Sequence, residues 1–279
     1  MTAMTLPAPT PARISGVIRS EVRKFLSTRL WWIMALSLVG YMTFMAAMMS
    51  FAFNFDADMV DPEMGMPDAR EIATSIYTLA PAFGYVFPLI VGAISITSEF
   101  RHQTITPTLL AEPRRTRLVA AKLIASLPVG LVVGILGSLT CWAVGGATIT
   151  LMGGEAFLFD PETIRIVLLS TLTLTIWAMV GVGFGTAIPN QIGSIIIVLA
   201  FTQFVEPIAR MAIAQVDAIA PASKFLPGAA GEALAGGSFY GTMMPIDALE
   251  WWQGGLVLIG YAVLFAFIGR ITTFRKDIG

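Results

Sequence analysis

Charged residues are scarce in this sequence. Only 13% of its 279 residues are Asp, Glu, Lys or Arg, whereas 56% are hydrophobic. A soluble domain typically has about 25% charged and about 45–50% apolar residues. The composition is that of a membrane protein, with a soluble globular core as the distant alternative.

Histidine and cysteine occur once each, as His102 and Cys141. One thiol forms no intramolecular disulfide, and one imidazole with only Glu99 near it is a poor metal site. No HExxH or GxSxG motif occurs, and no lysine follows a glycine, which excludes a Walker A phosphate-binding loop. We therefore expect no catalytic residue and no metal. The net charge of −1 gives no bias towards nucleic acid.

Six apolar stretches are long enough to cross a bilayer, whose core of about 30 Å needs roughly 20 helical residues. They cover residues 30–53, 72–97, 118–152, 164–188, 192–214 and 254–271. The fold class predicted is an all-α polytopic membrane protein with six transmembrane helices. Glu206, Pro207 and Arg210 interrupt the fifth stretch, and we expect that span to end near Val205 and to continue as a short or re-entrant segment.

The basic residues lie mainly on one side of these spans. That side holds 13 of the 17 Lys and Arg residues, while 14 of the 18 acids lie on the other. The positive-inside rule places the basic side, and with it both termini, in the cytoplasm of a cell that carries this protein in its plasma membrane. An even number of spans agrees with this orientation.

The residues before the first span divide into two parts. Residues 1–12 are rich in Thr, Pro and Ala and are predicted to be disordered. Residues 13–28 place Ile14, Val17, Val22 and Phe25 on one helical face and put Arg19, Arg23 and Lys24 on the other. The pattern predicts an interfacial helix, with a solvated basic leader as the alternative.

Two further patterns lie inside the spans. Gly181-xxx-Gly185 and Gly130-xxx-Gly134 are small-residue faces typical of close helix packing in membranes. Glu206 is the one acidic residue that could serve an ion pathway, yet Arg210 follows at i+4. We therefore favour an ion pair between Glu206 and Arg210, on the helix surface near the outer interface, over a role in an ion pathway.

The connector between the second and third spans concentrates charge and includes His102. Within it, the residues TPTLLAEP predict a short helix that Thr106 caps, with Pro107 in its first turn and Pro113 at its end. Leu109 and Leu110 would form an apolar knob suited to the groove of a partner protein. A plain basic connector explains the arginines but not this helix.

The stretch SEFRHQTITPTLLAEPRRTRLVAAKL resembles the first cytoplasmic loop of ABC-2 type permeases, the membrane subunits of ATP-driven exporters. The matching positions in this sequence are Glu99, Arg101, His102, Thr104, Leu109, Leu110, Pro113, Arg117 and Lys122. Gln103 stands where the family usually has Gly. The leader SEVRKFLSTRLWW, the stretch KFLPGAAGEAL and the terminal FRKDIG extend the likeness.

The resemblance implies a single transmembrane domain over residues 13–279, whose coupling loop, residues 98–117, docks a separate ABC ATPase subunit. Two permease subunits, as a homodimer or heterodimer, would work with two ATPases that bind ATP and Mg²⁺, and this chain would need no cofactor. The coupling residues implied are Glu99, Phe100, Arg101, His102, Thr104, Pro107, Leu109 and Leu110.

The same resemblance implies that spans two and five line the transport pathway. The candidate lining residues are Tyr85, Phe87, Phe201, Gln203 and Phe204. For each aromatic taken alone, ordinary packing or lipid-facing bulk is the favoured interpretation. Residues 217–250 would form outer gate helices or a plain extracellular loop. With few fixed charges on the pathway, a hydrophobic or amphipathic substrate is expected: a drug, an antibiotic peptide or a lipid.

Two other functions remain open at this point. An ion-coupled secondary carrier would depend on Glu206 and need no ATPase. A membrane scaffold or immunity protein without transport would show no substrate-stimulated ATP turnover.

Overall fold

The structure, a computed structural model, describes residues 14–56, 68–216, 218–237 and 248–275, and these contain helices but no strand. The α-helices are α1 (Ile14–Ser27), α2 (Leu30–Asp56), α3 (Ala69–Tyr77), α4 (Val86–Arg101), α5 (Ile105–Ala111), α6 (Arg115–Leu151), α7 (Pro161–Ala187), α8 (Gln191–Ala200), α9 (Glu206–Ala214), α10 (Pro227–Ala235) and α11 (Trp251–Thr272). The predicted tail of residues 1–12 lies outside the described residues.

Six helical stretches of the described chain are long and apolar enough to cross a membrane, which confirms the all-α polytopic fold. Two of them contain π-helical turns, Ala80–Gly84 between α3 and α4 and Phe201–Val205 between α8 and α9. Beyond Val205 the fifth stretch continues as the nine-residue helix α9, into which the π turn leads directly. Pro207 is the second residue of α9, just after this π turn.

Helix α7 is the centre of the bundle and packs against α4, α6 and α11. Glycines make these approaches close: a Cβ on Gly181 would overlap the carbonyl oxygen of Leu89 in α4. On α6, a Cβ on Gly134 would lie 2.6 Å from the carbonyl oxygen of Thr171. Both predicted small-residue faces are therefore helix contacts, through which backbones approach each other without bulky side chains between them.

The outer helices contrast with this centre. In the apolar window of α7, 78% of the residues are buried inside the protein, against 22% in the span that α8 and α9 form and 28% in α2. Leu36, Phe44, Ile196 and Ile208 are among the exposed apolar side chains of these helices. Large apolar surface of this kind is suited to lipid or to a second membrane subunit.

One end of the bundle, here called the basic end, gathers α1, the end of α4, α5, the start of α6 and the end of α11. Lys122 of α6 contacts Glu21 of α1, and Arg270 of α11 donates a hydrogen bond to Thr116. The segment predicted as an interfacial helix is helical, as α1, and packs at this end of the bundle. Its inward stripe is Val17, Glu21 and Phe25, whereas Ile14 and Leu26 are exposed.

Substituting Gly181→Ala should destabilise the bundle by about 1–3 kcal/mol, because the new Cβ must push α4 away from α7. Gly260→Ala is the matched control, since nothing lies within 4 Å of a Cβ at that position in α11. Thermal unfolding in detergent measures both. Equal melting temperatures for the two variants would contradict the close α4–α7 contact.

Candidate functional site

The short helix α5 lies at the basic end and begins earlier than the sequence predicted. It covers Ile105–Ala111, with Thr104 rather than Thr106 at the N-cap and no side-chain hydrogen bond at that cap. Gln103, just before it, has a φ of 55°, in the left-handed region that glycine adopts most easily. The chain therefore turns sharply between α4 and α5.

The predicted two-leucine knob is wrong in one respect, because the two leucines face different ways. Leu109 is partly buried and packs with Ile105, Leu118 and Phe274 in a small apolar core of the basic end. Leu110 is 78% exposed and is the apolar side chain that α5 presents outward. Any partner that docks on α5 would meet Leu110 and not Leu109.

Four charged side chains meet behind α5, and we call Glu21, Lys24, Glu99 and Lys122 the four-charge cluster. The Nζ atom of Lys122 donates to Glu21 at 2.5 Å and to Glu99 at 2.9 Å. Lys24 Nζ donates to Glu21 at 2.7 Å and to Glu99 at 2.9 Å. The cluster joins α1, α4 and α6, and its two carboxylates balance its two ammonium groups.

Lys24 also connects this cluster to α5. Its Nζ atom lies 3.3 Å from the hydroxyl oxygen of Thr108, to which it donates. The sequence pattern had assigned Lys24 to the polar, lipid-phosphate side of α1. The side chain is half exposed, and it also reaches back to two carboxylates that the apolar pattern of α1 does not reveal.

The pKa values of the α1 members reflect this pairing. Burial alone would raise the pKa of Glu21, but the charge and hydrogen bonds of Lys122 and Lys24 outweigh it and lower that pKa from its ordinary 4.5. Burial opposes the charge of Lys24, yet hydrogen bonds to Glu21 and Glu99 raise its pKa above 10.5. Both residues are therefore ionised at neutral pH.

A sequence signal for the cluster was present but not used. Among the described residues, the three acids on the basic side of the sequence are Glu21, Glu99 and Glu112, and all are buried beside a basic residue. The few acids in this arginine-rich part of the sequence each pair with a basic side chain in the structure. Lys122, within the apolar stretch that follows Arg117 in α6, was the other half of this signal.

The remaining predicted coupling residues surround the cluster. Phe100 packs edge-on against Phe274, with ring centroids 5.7 Å apart, and Arg101 donates to Gln191 at the start of α8. His102, Thr104 and Glu99 line a cavity of about 500 Å³ between α1, α4, α5 and the start of α8. Pro107 is exposed on α5.

Only part of the predicted pathway set comes together. The hydroxyl of Tyr85 donates to the carbonyl oxygen of Thr202 at 3.2 Å and so joins the second and fifth spans. Tyr85 and Gln203 line the same polar cavity of about 80 Å³ between the two π turns. Phe87 instead packs near Tyr41 of α2, and Phe201 and Phe204 are exposed.

Glu206 belongs to a second buried ion group and not to a surface pair. Arg210 donates to Glu206 at 3.0 Å and to Glu232 of α10 at 2.6 Å. The backbone N–H of Gly228, in the first turn of α10, also donates to Glu206, at 2.5 Å. The predicted Glu206–Arg210 pair is present, but its exposure was predicted wrongly because α10 covers it.

Among the described residues, no group of three or more His, Cys, Asp and Glu side chains could hold a metal ion. Cys141 is buried with its sulfur 3.6 Å from that of Met42. Comparison with models of known protein families and with curated proteins finds no match for this chain.

Substituting Lys122→Met should destabilise the protein by about 3–5 kcal/mol, because Glu21 and Glu99 lose their shared buried cation. The double variant Glu21→Gln with Lys122→Met should recover part of that loss, since it removes a charge of each sign. Lys224→Met, at a lysine without an ion partner among the described residues, is the control. Chemical denaturation in detergent measures all three, and a loss equal to that of the control contradicts the cluster.

Acidification should remove the contribution of the four-charge cluster to the stability of the folded protein. The folded-state pKa of Glu21 is lowered, so its stabilising effect is complete above pH 4.5 and is lost as pH falls through the folded pKa. For Lys24 the pKa is raised, so its contribution is complete below pH 10.5 and is lost above that. The melting temperature of the wild type should exceed that of the Glu21→Gln, Lys122→Met variant at neutral pH, and the two should converge in acid. A constant difference down to pH 3 would contradict this.

Proposed function

We propose that this chain is the membrane-spanning permease subunit of an ATP-driven exporter of the ABC-2 type. In this role, the basic end faces the cytoplasm of the cell and α5 docks a separate ATPase subunit. The observation that carries the proposal is the link between α5 and the spans: Lys24 joins Thr108 of α5 to Glu99 of α4, and Lys122 joins Glu99 to α6. This arrangement suits a helix that receives force.

In this proposal, the contacts of α5 would transmit its movement to the neighbouring helices α1, α4 and α6. Ile105 is buried, Leu109 packs in the same small core, and the turn at Gln103 connects α5 directly to the end of α4. A displacement of α5 would therefore move α4 and the start of α6 together with α1. Because close-packed elements respond as rigid units, the tilt would reach the second and third spans over their whole length.

In this proposal, the separate ATPase subunits supply the energy for transport. ATP and Mg²⁺ would bind the ATPase subunits, since this sequence has no Walker A loop. Two permease subunits would face each other across the pathway, and the exposed apolar span of α8 and α9 offers a surface for the second one. The excess of Lys and Arg at the basic end supports the cytoplasmic placement of α5.

The pathway would run beside the second and fifth spans, where Tyr85 bonds to Thr202 and Gln203 lines the small polar cavity. The exposed Phe201 and Phe204 would face the interior between the two subunits. Aromatic walls with few fixed charges favour a hydrophobic or amphipathic substrate over an ion. In this proposal α10, held by Glu206 and Arg210, would cover the outer mouth as a gate helix.

An ion-coupled carrier is the second candidate, and one observation favours it. The Oε2 atom of Glu206 is buried and has no hydrogen-bond partner within the described part of the chain, and the residue lines the polar cavity between the π turns. π turns often mark functional sites in helices. A buried carboxylate so placed could exchange a proton during transport.

Substituting Leu110→Asp should abolish co-purification of the ATPase subunit and substrate-stimulated ATP turnover, because a charge replaces the exposed apolar contact of α5. Leu109→Asp is unsuitable, since it would disrupt the core of the basic end. Phe159→Asp, at a side chain that is 79% exposed at the opposite end of the bundle, is the matched control. Retained ATPase binding by Leu110→Asp contradicts the docking role of α5.

The two candidate functions differ in their response to Glu206→Gln. A carrier that moves a proton through Glu206 loses transport at every pH, even without an ATPase. In the exporter, substrate-stimulated ATP turnover persists, with reduced stability as its main cost. Transport in proteoliposomes with and without the ATPase subunit separates them, and neither transport nor stimulated turnover would indicate a scaffold or immunity protein.

A further inference from the structure

A groove of about 670 Å³ lies at the basic end between the start of α6 and the end of α11. Arginine dominates its lining, which consists of Pro113, Arg114, Arg115, Thr116, Arg117, Ala120 and Arg270. The groove lies on the outside of the bundle, away from the four-charge cluster. Most of its arginines belong to the end of the coupling loop, but the docking role proposed above rests on α5 and not on these side chains.

The charge of this groove is strongly positive. Its lining includes four arginines and no acid, and Glu112 nearby places its Oε2 atom 3.5 Å from Arg117. Arg270 is held across the groove by its hydrogen bond to Thr116. The N-terminal end of the 37-residue helix α6 adds its partial positive charge at the same place. Such a groove attracts an anion.

Two apolar stripes lead from the groove along the membrane-facing sides of its helices. On α6, Ile124 and Leu131 are exposed and follow Ala120 at helical spacing. On α11, Phe267 and Val263 are exposed and precede Arg270 at the same spacing. An anion bound by the arginines would thus lie at the end of a hydrocarbon-compatible surface.

We propose that this groove binds the headgroup of an anionic phospholipid, with the acyl chains along the two apolar stripes. Guanidinium groups match phosphate oxygens with paired hydrogen bonds, which a lysine cannot reproduce. Basic pockets between transmembrane helices are a known setting for acidic lipid headgroups. The ligand class is a phosphodiester with two acyl chains and a net negative charge.

The stripes favour lipid over an acidic protein surface as the occupant. An acidic protein would use the arginines but not the apolar residues that continue away from them into the span. Arg270 lies two residues before the end of α11 and Arg115 begins α6, so both charges lie at the ends of spanning helices, at headgroup depth. The proposal does not depend on transport or on an ATPase.

The test uses the full chain in detergent, titrated with dioleoylphosphatidylglycerol or with dioleoylphosphatidylcholine, and native mass spectrometry counts bound lipid. The wild type should retain phosphatidylglycerol at least about 10-fold more tightly than phosphatidylcholine. The Arg115→Gln, Arg270→Gln variant should lose about 10- to 30-fold in affinity for phosphatidylglycerol, from roughly 1 kcal/mol for each basic residue. The Arg115→Lys, Arg270→Lys variant, which keeps the charge, should lose less.

The matched control is Arg19→Gln with Arg23→Gln, which removes the same charge from the exposed side of α1. It should change phosphatidylglycerol affinity by less than about threefold, because α1 does not line the groove. Ala120→Trp, which narrows the groove and keeps every arginine, should weaken lipid binding as well. Inorganic phosphate at millimolar concentration should not displace the lipid, since it lacks acyl chains.

Three results would overturn the proposal. Equal losses in the groove variant and the α1 control would show a diffuse electrostatic attraction. Displacement of the lipid by inorganic phosphate alone would show a simple anion site. Unchanged phosphatidylglycerol affinity in the Arg115→Gln, Arg270→Gln variant would leave the groove to another occupant, such as an acidic protein surface.

Discussion

The basic end depends on the pairing of four charged side chains, of which Glu21, Glu99 and Lys122 are buried and Lys24 is half exposed. Taking one ammonium or carboxylate out of water costs several kcal/mol, and only close, well-directed partners offset that cost. Glu21, Lys24, Glu99 and Lys122 achieve this because α1, α4 and α6 each contribute one or two of them at fixed positions. A shift of any one helix separates a pair. The cluster therefore fixes the relative position of three helices more strictly than apolar contact would.

A second ion group acts in the same way in the other half of the bundle. Arg210 lies between Glu206 and Glu232 and so fastens α10 to α9, with the backbone of Gly228 as an additional donor. In a membrane, lipid chains are as apolar as leucine, so apolar side chains alone give little reason for one helix arrangement over another. Glycine faces set how closely the central helices approach, and the ion groups set where the peripheral helices attach.

The sequence alone was sufficient for the spans, for α1 and for the existence of α5, because each depends on a local pattern of apolar residues, prolines and charges. The sequence was insufficient for contacts between side chains that lie far apart in the chain. Lys24 and Glu99 are 75 residues apart and Glu206 and Gly228 are 22 apart, and no periodicity relates them. The same limit explains Leu109, whose burial depends on Phe274. The acids placed among arginines, together with Lys122, were the sign of the cluster that the sequence contains.

The geometry of α5 follows from these distant contacts. A helix of seven residues is far below the roughly 12–15 residues that an isolated helix needs to be stable in water. Helix α5 is held in place by Ile105 and Leu109, which pack in the core of the basic end, and by the hydrogen bond that Lys24 donates to Thr108. A partner would thus meet Leu110 on a helix that is already formed, so the ordering cost of docking is small. The contacts that order α5 are also those that connect it to the rest of the basic end, so α5 cannot move without breaking them or carrying its neighbours along.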